Sequence, residues 1–242
     1  MDAQSYPLSR LVERLDRDGK LSDAEVEKVL SLSHTVRSYP ANADIVREGD
    51  RPSQCCLVIE GCLSRFKIIK EGKKQIMSFH VPGDIPDTLS LYLPRLDHTL
   101  GSVSPTKVVF IPHAAMRDLM ALHPRIAQCL WREMLVDAAI FREWIINVGR
   151  RAAESRIAHL LCEQAVRMKE AGLGDESGYP WFLTQANLGD ATGLSVVHVN
   201  RSMQSLRHKG LIGENGKTMK ILDWKGLVEV AGFDPAYLHL AA

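Results

Sequence analysis

Hydrophobic and polar positions along this chain change their period twice, and each change marks a different kind of structure. Two amphipathic stretches near 8–16 and 22–33 read as helices. Short runs rich in β-branched or alternating apolar residues follow at 36–39, 45–47, 55–60, 62–69, 74–79 and 107–111. Between them fall Gly49-Asp50, Glu60-Gly61, Glu71-Gly72 and Pro82-Gly83-Asp84. Strands this short, punctuated by glycine turns, predict a small barrel or roll of antiparallel β structure.

From His123-Pro124 the period becomes helical. Apolar residues recur at Ile126, Leu130, Met134, Ala138, Phe141, Ile145 and Val148, in steps of three or four, and proline suits a first helical turn. The pattern predicts one long helix with a continuous apolar seam. Arg132, Glu133, Asp137, Arg142 and Glu143 fall mostly off that seam, as in a helix that packs on a partner helix. Leu130, Met134, Ala138, Phe141 and Ile145 are therefore the candidate dimer contacts. Gly149-Arg150-Arg151-Ala152 ends or hinges the helix, a second helical pattern covers 154–169, and the polar, glycine-rich 171–180 reads as a loop.

The last third carries the most specific local signals. Thr184 can cap a helix over 185–192, Gly193 supplies a tight turn, and Ser195 can cap a second helix over 196–209 that stops at Gly210. Two short helices joined by a glycine turn form a helix-turn-helix. Asn215-Gly216 between alternating runs is a strong hairpin signal and makes a wing. In such a unit the start of the second helix enters the major groove of DNA. The candidate DNA contacts are accordingly Ser195, Val196, Val197, His198, Asn200, Arg201 and Gln204, with Lys217 on the wing. Arg201 is the strongest base reader, because a guanidinium can bond guanine O6 and N7 together. Val196 and Val197 can pack on a thymine methyl, while Ser202, Arg207 and Lys209 would grip phosphates.

Charge sharpens that reading. The whole chain of 242 residues has a formal net charge of +1, yet between Ser195 and Lys225 six basic residues face two acidic ones. A polyanion can dock there. No run approaches the roughly 18 apolar residues of a membrane span, and the N-terminus lacks the apolar core of a signal peptide, so a cytoplasmic protein without membrane contact is expected. The five cysteines, Cys55, Cys56, Cys62, Cys129 and Cys162, show no paired CxxC spacing, and buried reduced thiols are expected rather than disulfides or a zinc site. No catalytic or metal-ligating set is singled out.

The segment LTQANLGDATGLSVVHVNRSMQSLRHKGLIGENGKTMKI, with its GLSxxxVxR core followed by LRxxGLI, closely resembles the CRP/FNR family of bacterial transcription regulators. INVGRRAAESRIAHLL resembles the family's hinge, and Gly49, Gly61 and Gly83 look like glycines of its roll; the likeness covers nearly the whole chain. The resemblance implies an α+β fold in three parts. These are an N-terminal double-stranded β-roll (jelly-roll, cyclic-nucleotide-binding-like) over 1–122, a dimerisation helix and hinge over 123–150, and a winged helix-turn-helix over 151–242. It further implies a homodimer, not an enzyme, that binds double-stranded DNA with two-fold-related half-sites, recruits or blocks RNA polymerase, and is controlled allosterically from the roll.

The effector chemistry of the family transfers less well. A cyclic-AMP binder needs an acidic acceptor for the ribose and an arginine beside a serine for the phosphate. Here Asp87-Thr88 replaces the expected glycine-glutamate, and Leu96-Asp97 stands where arginine-serine should be, with Arg95 one residue away. Gly83, Asp87, Thr88, Arg95, Asp97 and His98 are the candidate effector-pocket residues. A carboxylate at Asp97 repels a phosphate, so cyclic AMP is not the expected ligand. No cysteine precedes Cys55, which argues against the family's iron–sulfur cluster. Haem has only residue-type candidates in His34, His80 and His98. The cofactor is therefore left unassigned. Two rival readings stay open: a cupin-type β-roll metalloenzyme, for which His80, His98 and His113 stand too far apart in sequence, and a regulator that needs no ligand.

Overall fold

A computed structural model describes residues 7–17, 19, 21–175 and 178–240. The chain divides into two compact units. One comprises the chain up to Lys67 with Phe79–Ala138, and the other Ile68–Ser78 with Ala139–Leu240.

The first unit begins with helices α1 (Ser9–Leu15) and α2 (Asp23–Leu30), the latter closed by a capping box in which the Ser22 hydroxyl and the Glu25 carboxylate each accept from the other's backbone N–H. Seven strands follow in the chain, of which β5 falls mostly within the Ile68–Ser78 stretch grouped with the second unit: β1 (Thr35–Tyr39), β2 (Asp44–Val46), β3 (Gln54–Glu60), β4 (Leu63–Ile68), β5 (Lys74–His80), β6 (Thr99–Ser102) and β7 (Thr106–Pro112). They form two sheets, ordered β1-β7-β3 and β2-β6-β4-β5, with antiparallel pairing of β1 and β3 to β7 and of β2 and β4 to β6.

Alternation along the central strands explains the core. Cys56 and Val58 of β3, with Val108 and Phe110 of β7, turn toward Leu63 and Ile45 of the other sheet. Their neighbours Cys55, Leu57, Val109 and Ile111 turn the opposite way and pack with Leu11 of α1 and Ile126. Both faces of these strands are covered, which is why 55–59 reads as an unbroken apolar run. Cys55, Cys56 and Cys62 lie in that core, and burial pushes the thiols of Cys55 and Cys56 well up, so neither offers a thiolate.

The structure adds elements that the pattern did not predict. Strand β6 reads TLGS, too polar and glycine-bearing to register as a strand, and forms because β2 and β4 both pair with it. Helix α3 (His113–Leu122) comes directly before the His123-Pro124 signal, which marks the start of a second helix rather than the first. Helix α4 (Pro124–Arg150) then runs 27 residues, and the division between the units falls inside it.

The second unit contains α5 (Ala153–Glu170), α6 (Gln185–Thr192), α7 (Val196–His208) and α8 (Trp224–Ala231), with a small sheet ordered β8-β10-β9 (Tyr179–Pro180, Thr218–Ile221, Ile212–Asn215). Both α8 and the short turn Pro235–Leu238 lie beyond the elements read from the sequence. One carboxylate fastens the Pro235–Leu238 turn to α4 and α5. Glu163 of α5 is fully buried and accepts hydrogen bonds from Trp144 Nε1 of α4 at 3.0 Å and from the Tyr237 hydroxyl at 2.8 Å. Burial pushes its carboxyl up, opposed by Arg167 and by these two donors.

Candidate nucleic-acid interface

The helix-turn-helix is built by local chemistry at each of its joints. The Thr184 hydroxyl accepts from the backbone N–H of Asn187 at 3.1 Å, and the Asn187 side-chain oxygen accepts from the N–H of Thr184 at 2.9 Å. Asparagine thus completes a capping box in which glutamate or glutamine is usual. Helix α6 ends at Gly193 with φ 68°, a left-handed conformation that glycine adopts without steric cost. Close crossing of the two helices depends on a different glycine: a Cβ on Gly189 would come within 2.7 Å of the Leu194 carbonyl. The Ser195 hydroxyl then caps α7, accepting from His198 N and lying 3.0 Å from His198 Nδ1.

Once α7 starts there, its faces are fixed. Val199, Ser202, Met203 and Leu206 are buried, while Val196, Val197, His198, Arg201 and Gln204 are exposed and Asn200 is half-buried beside them. The outward set contains every α7 residue proposed for base contact. Arg201 enters no ion pair among the described residues. Lys217 is exposed at the wing turn between β9 and β10. The proposed phosphate grips fare differently. Ser202 is buried; Arg207 is held by Glu214 at 2.6 Å and Lys209 by Glu154 at 2.7 Å. Ser202 therefore has no reach to a phosphate, and the other two are already engaged.

The long helix shows an apolar stripe, displaced from the predicted one. Leu130 is buried with Ile126 in the core of the first unit and is not available to a partner. Steps of four advance about 40° around a helix each, so the string 126, 130, 134, 138 walks from the inner face to the outer. Ile145 is 69% exposed, and Met134, Ala138 and Phe141 are half-buried on the same side. The sequence reading missed Trp131 and Leu135, which are 54% and 64% exposed. Trp131, Ala138 and Ile145 recur every seven residues, as do Met134, Phe141 and Val148, the register of a coiled-coil seam.

The six candidate effector residues differ in exposure. Arg95 and Asp97 are exposed, whereas Gly83, Asp87, Thr88 and His98 are buried. Leu96 packs with Val46 and Leu100, which turns its neighbour Asp97 outward to hold His98 Nδ1 at 2.7 Å. The Asp87 carboxylate accepts the Cys56 backbone N–H at 2.8 Å through Oδ1, and its Oδ2 is buried without a hydrogen-bond partner. Burial pushes this carboxyl up to about 7, against lowering by the Cys56 N–H and by Arg65. Thr88 bonds the Ile85 carbonyl at 2.9 Å.

Charge of another origin lies inside this unit. The buried guanidinium of Arg65 on β4 bonds Asp137 of α4 at 3.0 Å and also the Pro86 carbonyl. Arg14 of α1 bridges Asp84 at 3.2 Å and Glu133 of α4 at 2.5 Å. Sequence reading placed Asp137 and Glu133 on an off-seam face; their partners lie 72 and 119 positions earlier in the chain, a separation that local spacing does not register. His80 lies 3.6 Å from Asp84, and His113 lies 2.9 Å from the Ser90 hydroxyl. These two and His98 thus have separate neighbours. Among the described residues no three His, Cys, Asp or Glu side chains are grouped to hold a metal, and no helix is long and apolar enough to cross a membrane.

A roll of two antiparallel sheets, a long helix with an apolar stripe, and a winged helix-turn-helix with an exposed arginine on its second helix define a class of DNA-binding regulators. Residues 36–123 match the cyclic nucleotide-binding domain and residues 155–230 the Crp-like helix-turn-helix domain. The chain belongs to the CRP/FNR family of transcription regulators. Among its relatives, the transcriptional activator protein FnrA of Stutzerimonas stutzeri is 26% identical over 188 residues, 78% of this chain and 77% of that protein. FnrL of Cereibacter sphaeroides is 26% identical over 216 residues, covering 88% and 86% of the two chains. The solved structure of FixK2 from Bradyrhizobium japonicum shares the fold with a TM-score of 0.74 at 22% identity, over 82% of this chain and 98% of that one.

Proposed function

We propose that this chain is a cytoplasmic homodimeric regulator that reads two-fold-related half-sites in double-stranded DNA and thereby recruits or blocks RNA polymerase. Residues 1–122 serve as the sensor roll, 123–150 as the dimerisation helix and hinge, and 151–242 as the DNA-reading domain. The single observation that carries the reading is the outer face of α7: Val196, Val197, His198, Asn200, Arg201 and Gln204 stand together beyond a buried Val199, Met203 and Leu206. Ser195 fixes the start of that face and Lys217 of the wing supplies a phosphate contact.

Arg201 carries the base-specific term. One bidentate arginine–guanine contact is worth roughly 1 to 3 kcal/mol, and a dimer makes two. Arg201→Ala is expected to weaken binding to a duplex selected by the wild-type protein at least tenfold, with a much smaller loss on random duplex. Gel-shift titration on both duplexes checks this, and equal losses overturn the assignment.

A specific observation favours control without a cyclic nucleotide. The Arg65 guanidinium, fully enclosed by the roll, is spent on Asp137 of α4 and the Pro86 carbonyl, while Asp97 stands exposed where a phosphate partner would be needed. The Arg65–Asp137 pair joins the sheet to the dimerisation helix directly. On this reading, whatever acts on the roll acts on α4 through that pair.

A further inference from the structure

We infer that Arg156, on the first turns of α5, is a positioning residue that ties the α4–α5 elbow to the turn of the helix-turn-helix. The inference rests on the DNA-binding role proposed for α7. The Arg156 side chain bonds both parts: its Nε donates to the Arg151 carbonyl at 2.8 Å and its Nη1 to the Thr192 carbonyl at 2.9 Å. Arg151 is the elbow residue between α4 and α5. Thr192 is the last residue of α6, immediately before the left-handed Gly193. The planar guanidinium presents these donors in a fixed fork, so the two carbonyls cannot move apart without breaking a bond.

The tie continues into α4. Asn147, buried near its C-terminus, donates through Nδ2 to the Arg156 backbone carbonyl at 3.3 Å. A rotation of the last turns of α4 therefore pulls on Arg156, and Arg156 pulls on the end of α6. A second tether from the same turn of α5 holds the far end of the reading helix. Glu154 accepts from the Ser205 hydroxyl at 3.0 Å and from Lys209 at 2.7 Å. With the end of α6 and the far end of α7 held by residues two apart on α5, the orientation of α7 follows the elbow.

A tether of this kind sets geometry without touching DNA, and geometry is read in the distance between half-sites. The test uses the full-length protein and a consensus duplex selected by the wild type from a random pool. Affinity is measured on that duplex, on random duplex, and on consensus duplexes whose half-sites are moved together or apart by one base pair, alongside thermal unfolding. R156Q is expected to lose at least tenfold on the consensus, to stay within about twofold on random duplex, and to lose most of the wild type's preference for native spacing, with unfolding little changed. R156K keeps the charge but not the fork and is expected to fall between the two. Unchanged consensus affinity with unchanged spacing preference overturns the inference, and so do equal losses on consensus and random duplex, the mark of a merely structural residue. Should R156Q not fold, the spacing profile of R156K decides by the same criteria. A wild-type protein that selects no consensus at all overturns the DNA-reading role itself, an outcome distinct from any difference between the variants.

Discussion

Glutamate at both Leu135 and Ile145 is expected to hold the protein as a monomer and to lower its affinity for a two-half-site duplex at least a hundredfold. These side chains are 64% and 69% exposed in the single chain, so the protomer's own core does not require them. In a dimer built on the α4 stripe each would count twice. Four buried apolar side chains, each worth about 1.5 to 3 kcal/mol, would be exchanged for four carboxylates facing one another across the seam. Sedimentation equilibrium reads the change in mass, and thermal unfolding of the monomer confirms that the fold persists. A double variant that sediments as a dimer removes α4 as the seam. A monomer that still grips the duplex at wild-type affinity removes two-fold binding from the account.

Asp87→Asn is expected to stabilise the protein at alkaline pH, and by an amount that grows as pH rises. The Asp87 carboxyl is fully buried and pushed up to about 7, while an unfolded chain ionises it near its ordinary value of 3.8. Below about pH 4 both states hold the proton and the stabilisation is fully present. Between there and 7 the unfolded state ionises first, so folding loses about 1.4 kcal/mol per pH unit, about 4 kcal/mol in all. Asparagine keeps an oxygen for the Cys56 N–H at 2.8 Å and never ionises. The stability of the variant relative to wild type, from chemical unfolding, should therefore rise by roughly 2 to 3 kcal/mol between pH 5 and pH 8.

The buried histidines act in the opposite sense. Burial, with Arg151 nearby, lowers His159 to about 3, and burial also lowers His80 and His98. Their contribution is lost as pH falls below the ordinary histidine value of 6.5. Wild type and variant share these groups, so the difference between them isolates Asp87. A difference that stays constant from pH 5 to pH 8 would show that Asp87 is ionised in the fold.

The parts of this molecule that were legible in the sequence are those decided by neighbours a few positions apart. Thr184, Gly193 and Ser195 fix the ends of α6 and the start of α7, and Asn215-Gly216 fixes the wing, because caps and turns are local chemistry. The outward face of α7 followed from its start. What the pattern missed depended on distant partners. β6 exists through β2 and β4, and the Pro235–Leu238 turn is held where Glu163, Trp144 and Tyr237 meet. The placement of the candidate effector residues also depended on distant partners. Residues grouped by position along 82–99 are split between interior and surface, and the charge inside the roll came from Arg14, Arg65 and the α4 pair Glu133 and Asp137, drawn from three separate stretches.

Cysteine placement gives this protein a ready-made optical and magnetic handle. Cys55, Cys56, Cys62 and Cys162 are buried, and the thiol of Cys162 is pushed up to about 12 by burial. Cys129 alone among the five is partly accessible, and it sits on α4 two residues before Trp131. A nitroxide or fluorophore attached under mild conditions should go there first, without any cysteine being added or removed. In a two-fold assembly the two labels would form a molecular ruler across the long helices, reporting their separation with and without duplex bound.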